Sequence, residues 1–201
     1  MLEKFLVPGS VIHGMKALTS TVRGEALHEV HIGVQDVAVE VDYTVTTTTR
    51  QSIWHGLRHK TIENKTEHKA TWYFRLLPYV QGSINYTEMQ GRDVLSGWFS
   101  GCIMAKYYNE GTCRVCHVST GAPNDCKDAW NVIKSGQGMH NVSEFRPFDK
   151  NDPVILANLT LGLITGNGIF YTIWVNRAPN DPDLAIIVAV MKRETGYGMD
   201  H

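Results

Sequence analysis

The chain lacks a charge excess of either sign. Its 19 lysines and arginines stand against 20 aspartates and glutamates, scattered rather than blocked. A protein that grips nucleic acid through phosphates needs a basic surface, so no nucleic-acid partner is expected. No apolar run is long enough to span a bilayer. The start, with Glu3, Lys4 and Pro8, lacks the long apolar middle of a secretory signal. The expected setting is therefore the cytoplasm, or export as an effector by a specialised secretion system. Cysteine is sparse: Cys102, Cys113, Cys116 and Cys126 all fall in one quarter of the chain. Four thiols in 201 residues do not build a disulfide scaffold, which leaves thiol or metal chemistry to weigh. Sequons at Asn64, Asn85, Asn141 and Asn158 have no secretory signal to give them meaning and read as chance.

With 43% hydrophobic residues, the chain can fill one core, and residues 1–201 read as a single domain. Strand signals dominate. Val37, Val39, Val41, Tyr43 and Val45 alternate with Ala38, Glu40, Asp42 and Thr44, the period-two pattern of a half-buried strand. A second strand runs from Ala70 to Pro78. A hairpin follows, from VILANLTL through TGNG to IFYTIWVN. LAIIVAVM reads as a central strand, apolar on both faces. Cys126, Ala129, Trp130 and Ile133 share one face at helical spacing, with Asn124 or Asp125 as cap and Gly136 as stop. A helix near the N-terminus is weakly signalled, and Ser135 to Asn151 reads as a surface loop. The fold class expected is α+β, mostly β: a β-sandwich core with peripheral helices and loops.

The chemistry concentrates between Ser96 and His117. The segment IMAKYYNEGTCRVC reads as a tight hairpin whose turn centres between Asn109 and Glu110, with Gly111 free to take positive φ. That register sets Cys102 opposite His117, and a shift by two still leaves them diagonal. A thiol facing an imidazole is the minimum for nucleophilic catalysis by cysteine. The imidazole takes the thiol proton, holds the ion pair and later protonates the departing amine. Ser100 and Gly101 favour a sharp turn whose amides can face an oxyanion. Ser96 is a candidate to fix the imidazole tautomer, and equally an ordinary turn serine. Against all this stands the reading of Cys102 as an apolar filler and His117 as a satisfied core histidine.

Two metal readings compete. Cys113-Arg114-Val115-Cys116-His117 matches the haem-attachment pattern Cys-x-x-Cys-His. In a β-branched strand, however, Cys113 and Cys116 project to opposite faces and do not grip one porphyrin edge together. Zinc on Cys113, Cys116, His117 and Cys126 meets the same objection and lacks a second Cys-x-x-Cys pair. No cofactor and no metal is expected. Cys126 is expected to pack the buried face of its helix.

Phe99-Ser100-Gly101-Cys102, followed 15 residues on by His117, resembles the catalytic core of the cytotoxic-necrotizing-factor type of bacterial protein-glutamine deamidases. That group carries Leu-Ser-Gly-Cys, so Phe99 stands for the leucine. A small single-domain member has a threonine six residues before its cysteine, and Ser96 takes that place here. The resemblance covers only Ser96 to His117. It implies a β-sandwich core and hydrolysis of a glutamine side-chain amide in a target protein, as a toxin or effector acting on a host-cell protein would perform it. Cys102 would be the nucleophile, His117 the acid–base group, and Ser96 its positioning partner. Two further readings remain open at this point: another Cys–His hydrolase, peptidase or amidase, and a non-enzymatic β-sandwich binding module using Trp98, Tyr107 and Tyr108.

Overall fold

A computed structural model of the chain describes residues 6–15, 22–23, 29–31, 36–53, 58–121, 125–152 and 156–194. Seven strands close into a ring in the order β1 (Val11–His13), β14 (Asp181–Arg193), β13 (Phe170–Ala178), β12 (Leu159–Ile164), β8 (Val94–Gly97), β5 (Arg58–Leu77) and β4 (Asp36–Ile53). A five-stranded sheet has the order β11 (Met139–Phe145), β9 (Ile103–Asn109), β10 (Thr112–Val118), β7 (Ile84–Glu88) and β3 (Glu29–His31). Strands β2 (Val22–Arg23) and β6 (Val80–Gln81) form a short parallel pair. The helix α1 covers Lys127–Lys134. The class is α+β, mostly β, in a sandwich-like arrangement, with one of the two sheets curled shut. No described helix is long and apolar enough to cross a membrane.

Alternation in the sequence becomes layering. On β4, Val39 and Val41 point into the ring while Glu40 faces water. On β5, Trp72 and Phe74 go in and Tyr73 stays out. Pro78 ends β5, as its missing amide hydrogen requires. A second cluster, containing Leu77, Val94, Phe99, Cys102, Met104, Val115, Phe145 and Ile164, glues the ring to one face of the five-stranded sheet. The other face, through Ile103, Ala105, Tyr107, Cys116 and Val118, packs against Cys126 and Trp130 of the helix layer. Tyr107 is thus core and not part of a contact surface. At Gly162 on β12 a β-carbon would come 2.7 Å from Pro147 Cγ, 2.8 Å from Met104 Sδ and 3.0 Å from Phe99 Cε2. Glycine there lets the two layers close.

Strands β4 and β5 pair from Asp36↔Arg75 out to Ile53↔Arg58. Only Val41 and Asp42 of β4 and Arg75–Leu77 of β5 pair with the ring's other strands. Beyond the stacked Tyr43 and His68 rings the two strands run on as a ribbon, paired with each other alone among the described residues.

Three sequence readings need correction. The stretch 135–151, which the sequence reads as a surface loop, contains β11, which pairs with β9. It is an edge strand with a register shift between His140 and Ser143 and a positive φ at Asn141, so its burial never alternates cleanly. Strand β14 lies between β1 and β13 as a central strand should, but Ile186 is 45% exposed, because the outside of the ring faces water there. The hairpin register also differs, as described below. The helix suggested near the N-terminus falls outside the described residues. The helix read from Cys126 to Ile133 forms over Lys127–Lys134, with Cys126 and not Asp125 at the cap position; Asp125 Oδ1 accepts from Lys127 N at 2.8 Å, and Gly136 N donates to Ile133 O. Asn124, the other cap considered, lies outside the described residues.

Candidate active site

Strands β9 and β10 meet through the two-residue turn Glu110-Gly111, both at positive φ (49° and 80°), the handedness that matches strand twist. This sets His117 opposite Met104, not Cys102. The turn sits one residue later than the sequence suggests, because Glu110 accepts a backbone conformation that asparagine or glycine usually fills. Cys102 immediately precedes β9, two residues from Met104. It joins the same inter-layer cluster, so it lies on the His117 face at the diagonal position. Diagonal neighbours are roughly 7–8 Å apart between α-carbons, still within side-chain reach.

His117 is fully buried. Its ring stacks on Phe99 (centroids 4.2 Å apart, planes at 8°) and tilts against Tyr79 at 5.0 Å. Ser96, from β8 of the ring, has its hydroxyl 2.8 Å from His117 Nδ1. The same hydroxyl donates to Leu77 O at 2.7 Å. Its one proton being committed there, Ser96 Oγ serves His117 as an acceptor. The proton of a neutral imidazole is then on Nδ1, and Nε2 carries a lone pair. Nε2 has no hydrogen-bond partner. Two side chains singled out from sequence, Ser96 and His117, are thus joined across two sheets.

Burial sets the charge state. It holds the His117 imidazole down to about 3, well below its ordinary 6.5. It pushes the Cys102 thiol up, against the opposing pull of the nearby Thr120. At rest the thiol and the imidazole are therefore both neutral, not the ion pair expected from sequence. Cys102 is 3% exposed; Ser100 and Gly101 before it reach solvent, while Ile103 after it is buried. A cleft of about 1190 Å³ is lined by Ser100, Gly101 and Ile103 on one side, and by α1 and the residues around Phe148 on the others. Gly101 has φ 145° and its carbonyl accepts from Thr120 Oγ1 at 2.8 Å, which fixes the peptide before the cysteine. A side chain is strained at that φ, so glycine is required on backbone grounds.

Thr120 was not legible as a functional residue: it lies just past the end of β10, and only the shifted register brings it beside Cys102. Cys113 faces Met89 on the ring side, with Sγ 3.7 Å from Met89 Sδ, whereas Cys116 sits in the helix-side cluster. The two therefore diverge as a strand demands, and no described group of three histidine, cysteine or carboxylate side chains converges on one point. All four cysteines are outside disulfides. Asn85 is fully buried, so that sequon is closed to a glycan in the folded chain. Compared with known proteins, the chain matches no family model, no curated protein and no solved structure.

Proposed function

We propose that this chain is a cysteine-dependent amidohydrolase that converts a glutamine side chain of a target protein to glutamate. The observation that carries the reading is the Ser96–His117 hydrogen bond, which joins two of the candidate residues across two sheets and leaves Nε2 without a hydrogen-bond partner. A core histidine that served only packing would spend both nitrogens on partners. The short resemblance from Ser96 to His117 supplies the reaction class.

The steps follow from the neutral resting pair. Substrate enters by the cleft beside Ser100 and Gly101. His117 Nε2 takes the proton of the Cys102 thiol as the sulfur attacks the glutamine δ-carbon. The oxyanion is held by backbone amides around Gly101 and Cys102, with the Thr120 amide at hand. His117 returns the proton to the nitrogen, the C–N bond breaks, and ammonia leaves a thioester on Cys102. Water, deprotonated by His117, then releases glutamate and restores the thiol. An amine arriving first gives transglutamination instead. A host-cell target protein, reached as a toxin or effector, belongs to this reading.

The test is proteomic. Lysate treated with wild-type protein is compared with lysate treated with Cys102→Ala or His117→Phe, reading glutamine-to-glutamate conversions in tryptic peptides. A small set of sites converted only by the wild type is expected. Backbone cleavage at discrete sites would replace this reading by a peptidase, and identical digests would remove the enzyme.

A further inference from the structure

Beyond the ring, the outer edge of β5 carries a pattern of its own. Strand β8 takes that edge only at Arg75–Leu77. From Arg58, where β5 begins, to Phe74 the edge pairs with no strand among the described residues. The midpoint of this free edge is Thr66. Around it Glu63, Lys65, Glu67 and Lys69, all exposed, project from one face, two residues apart and alternating in sign. Within the chain the pattern is largely unanswered. The first three face Thr48, Thr46 and Thr44 across the ribbon. Lys69 faces Asp42 at 3.6 Å and is still 77% exposed.

Counted outward from Thr66, each charge has its opposite at the same distance on the other side: Lys65 against Glu67, and Glu63 against Lys69. A strand with that symmetry is complementary to itself reversed. Two copies related by a two-fold axis normal to the sheet bring their edges together antiparallel, with like faces on the same side. With the axis at Thr66, Lys65 opposes the second copy's Glu67, and Glu63 opposes its Lys69. Symmetry repeats both contacts, so every charge of the four meets an opposite one. A slip of two residues either way sets Lys65 or Glu67 against itself, and a slip of four keeps only half of the pairs. Charges on a bare edge commonly serve to repel a second edge. These repel in the neighbouring registers and attract in one. That register also pairs the free edge from end to end, because its midpoint and the centre of the charge pattern coincide at Thr66. A two-stranded ribbon is marginal alone, and a four-stranded sheet is not. We propose that two copies of this chain form a two-fold dimer by antiparallel pairing of their β5 edges about Thr66, in the order β4-β5-β5-β4. The proposal stands apart from the deamidase reading and does not depend on it.

The test is sedimentation velocity of the full chain over a range of concentrations. Wild type is expected to pass from monomer to dimer with a Kd on the order of micromolar, and to fall back toward monomer as added salt screens the pairs. Lys65→Glu turns two of the opposite-charge contacts into like-charge ones and should raise the Kd by on the order of tenfold. Lys65→Glu combined with Glu67→Lys restores the match about Thr66 and should return the Kd to the wild-type value. Thr66→Cys puts a thiol on the axis and should give a disulfide-linked dimer on mild oxidation, since directly opposed α-carbons lie within disulfide range. Thr47→Cys, equally exposed on β4, should not link. The cysteine variants leave the charges untouched and cover the case in which a charge variant disturbs the ribbon. A monomer at every concentration that Thr66→Cys fails to link would overturn the proposal. So would a dimer indifferent to Lys65→Glu, a loss that the double variant does not recover, or linkage through Thr47→Cys, which would seat the second copy on β4 instead.

Discussion

Replacing His117 by phenylalanine isolates one proton. The aromatic ring keeps its place between Phe99 and Tyr79, and Ser96 keeps its bond to Leu77 O, so the titratable nitrogens are the main loss. In the unfolded chain the imidazole protonates near 6.5; in the folded chain burial delays this to about 3. A depressed folded value means that the neutral, buried form contributes in full above pH 6.5, and that this contribution drains away as pH falls, because the unfolded chain takes up a proton the folded one refuses. From those two values the wild type loses, relative to the variant, roughly 2 kcal/mol by pH 5 and roughly 3 kcal/mol by pH 4, a slope of about 1.4 kcal/mol per pH unit. Other groups, such as Asp152 held low by its hydrogen bond to Arg193, titrate alike in both proteins and cancel in the difference. The assay is urea denaturation of both proteins at pH 7, 6, 5 and 4, plotting the difference in unfolding free energy. The absolute offset at pH 7 is not the test; the slope is. Parallel stability curves over this range would refute the claim that His117 is held neutral by burial, and with it the account of a neutral resting pair.

Other outcomes follow from the same geometry. Ser96→Ala strands both His117 Nδ1–H and Leu77 O in the core and should cost about 2–6 kcal/mol in denaturant melts, since each orphaned group carries about 1–3 kcal/mol; Ser96→Thr, keeping the hydroxyl, should recover most of it, and a neutral Ser96→Ala would deny the bond. Gly162→Ala drives a methyl into Pro147, Met104 and Phe99 and should cost about 1–3 kcal/mol as an overpacked core does; an unchanged melting temperature would mean the layers are less tightly closed than described. With Cys102 raised by burial, its alkylation by iodoacetamide should be slow at neutral pH and still climbing above pH 9, where an ordinary thiol levels off; a plateau near neutral pH would mark a thiolate pair instead. Cys113→Ser and Cys116→Ser should leave glutamine conversion intact, and inactive but folded variants would return attention to a metal.

What the sequence revealed and what it hid divide along physical lines. Alternation at Val37 to Val45 and the stop at Pro78 were legible because a strand half in water must alternate and proline cannot continue one. The Ser96–His117 pairing was legible only through spacing in a resembling motif; its reality depends on β8 and β10 coming from different sheets, which no local pattern reports. The hairpin register escapes the sequence because Glu110 adopts a left-handed conformation that its side chain does not advertise. Strand β11 is hidden by Gly136 and Gly138 just before it, by its register shift and by its place at an edge.

The central claim is that His117 is a buried neutral imidazole, protonated on Nδ1 toward Ser96 and bare on Nε2. Its most direct measurement is a long-range nitrogen–proton correlation spectrum of the protein with its imidazoles labelled with nitrogen-15, recorded at pH 7 and assigned by the loss of one ring in His117→Phe. The account predicts a neutral ring protonated on Nδ1, with Nε2 at the shift of an unprotonated nitrogen and no change as pH is lowered to 5. A ring protonated on Nε2, or one that becomes an imidazolium between pH 7 and 5, would contradict it.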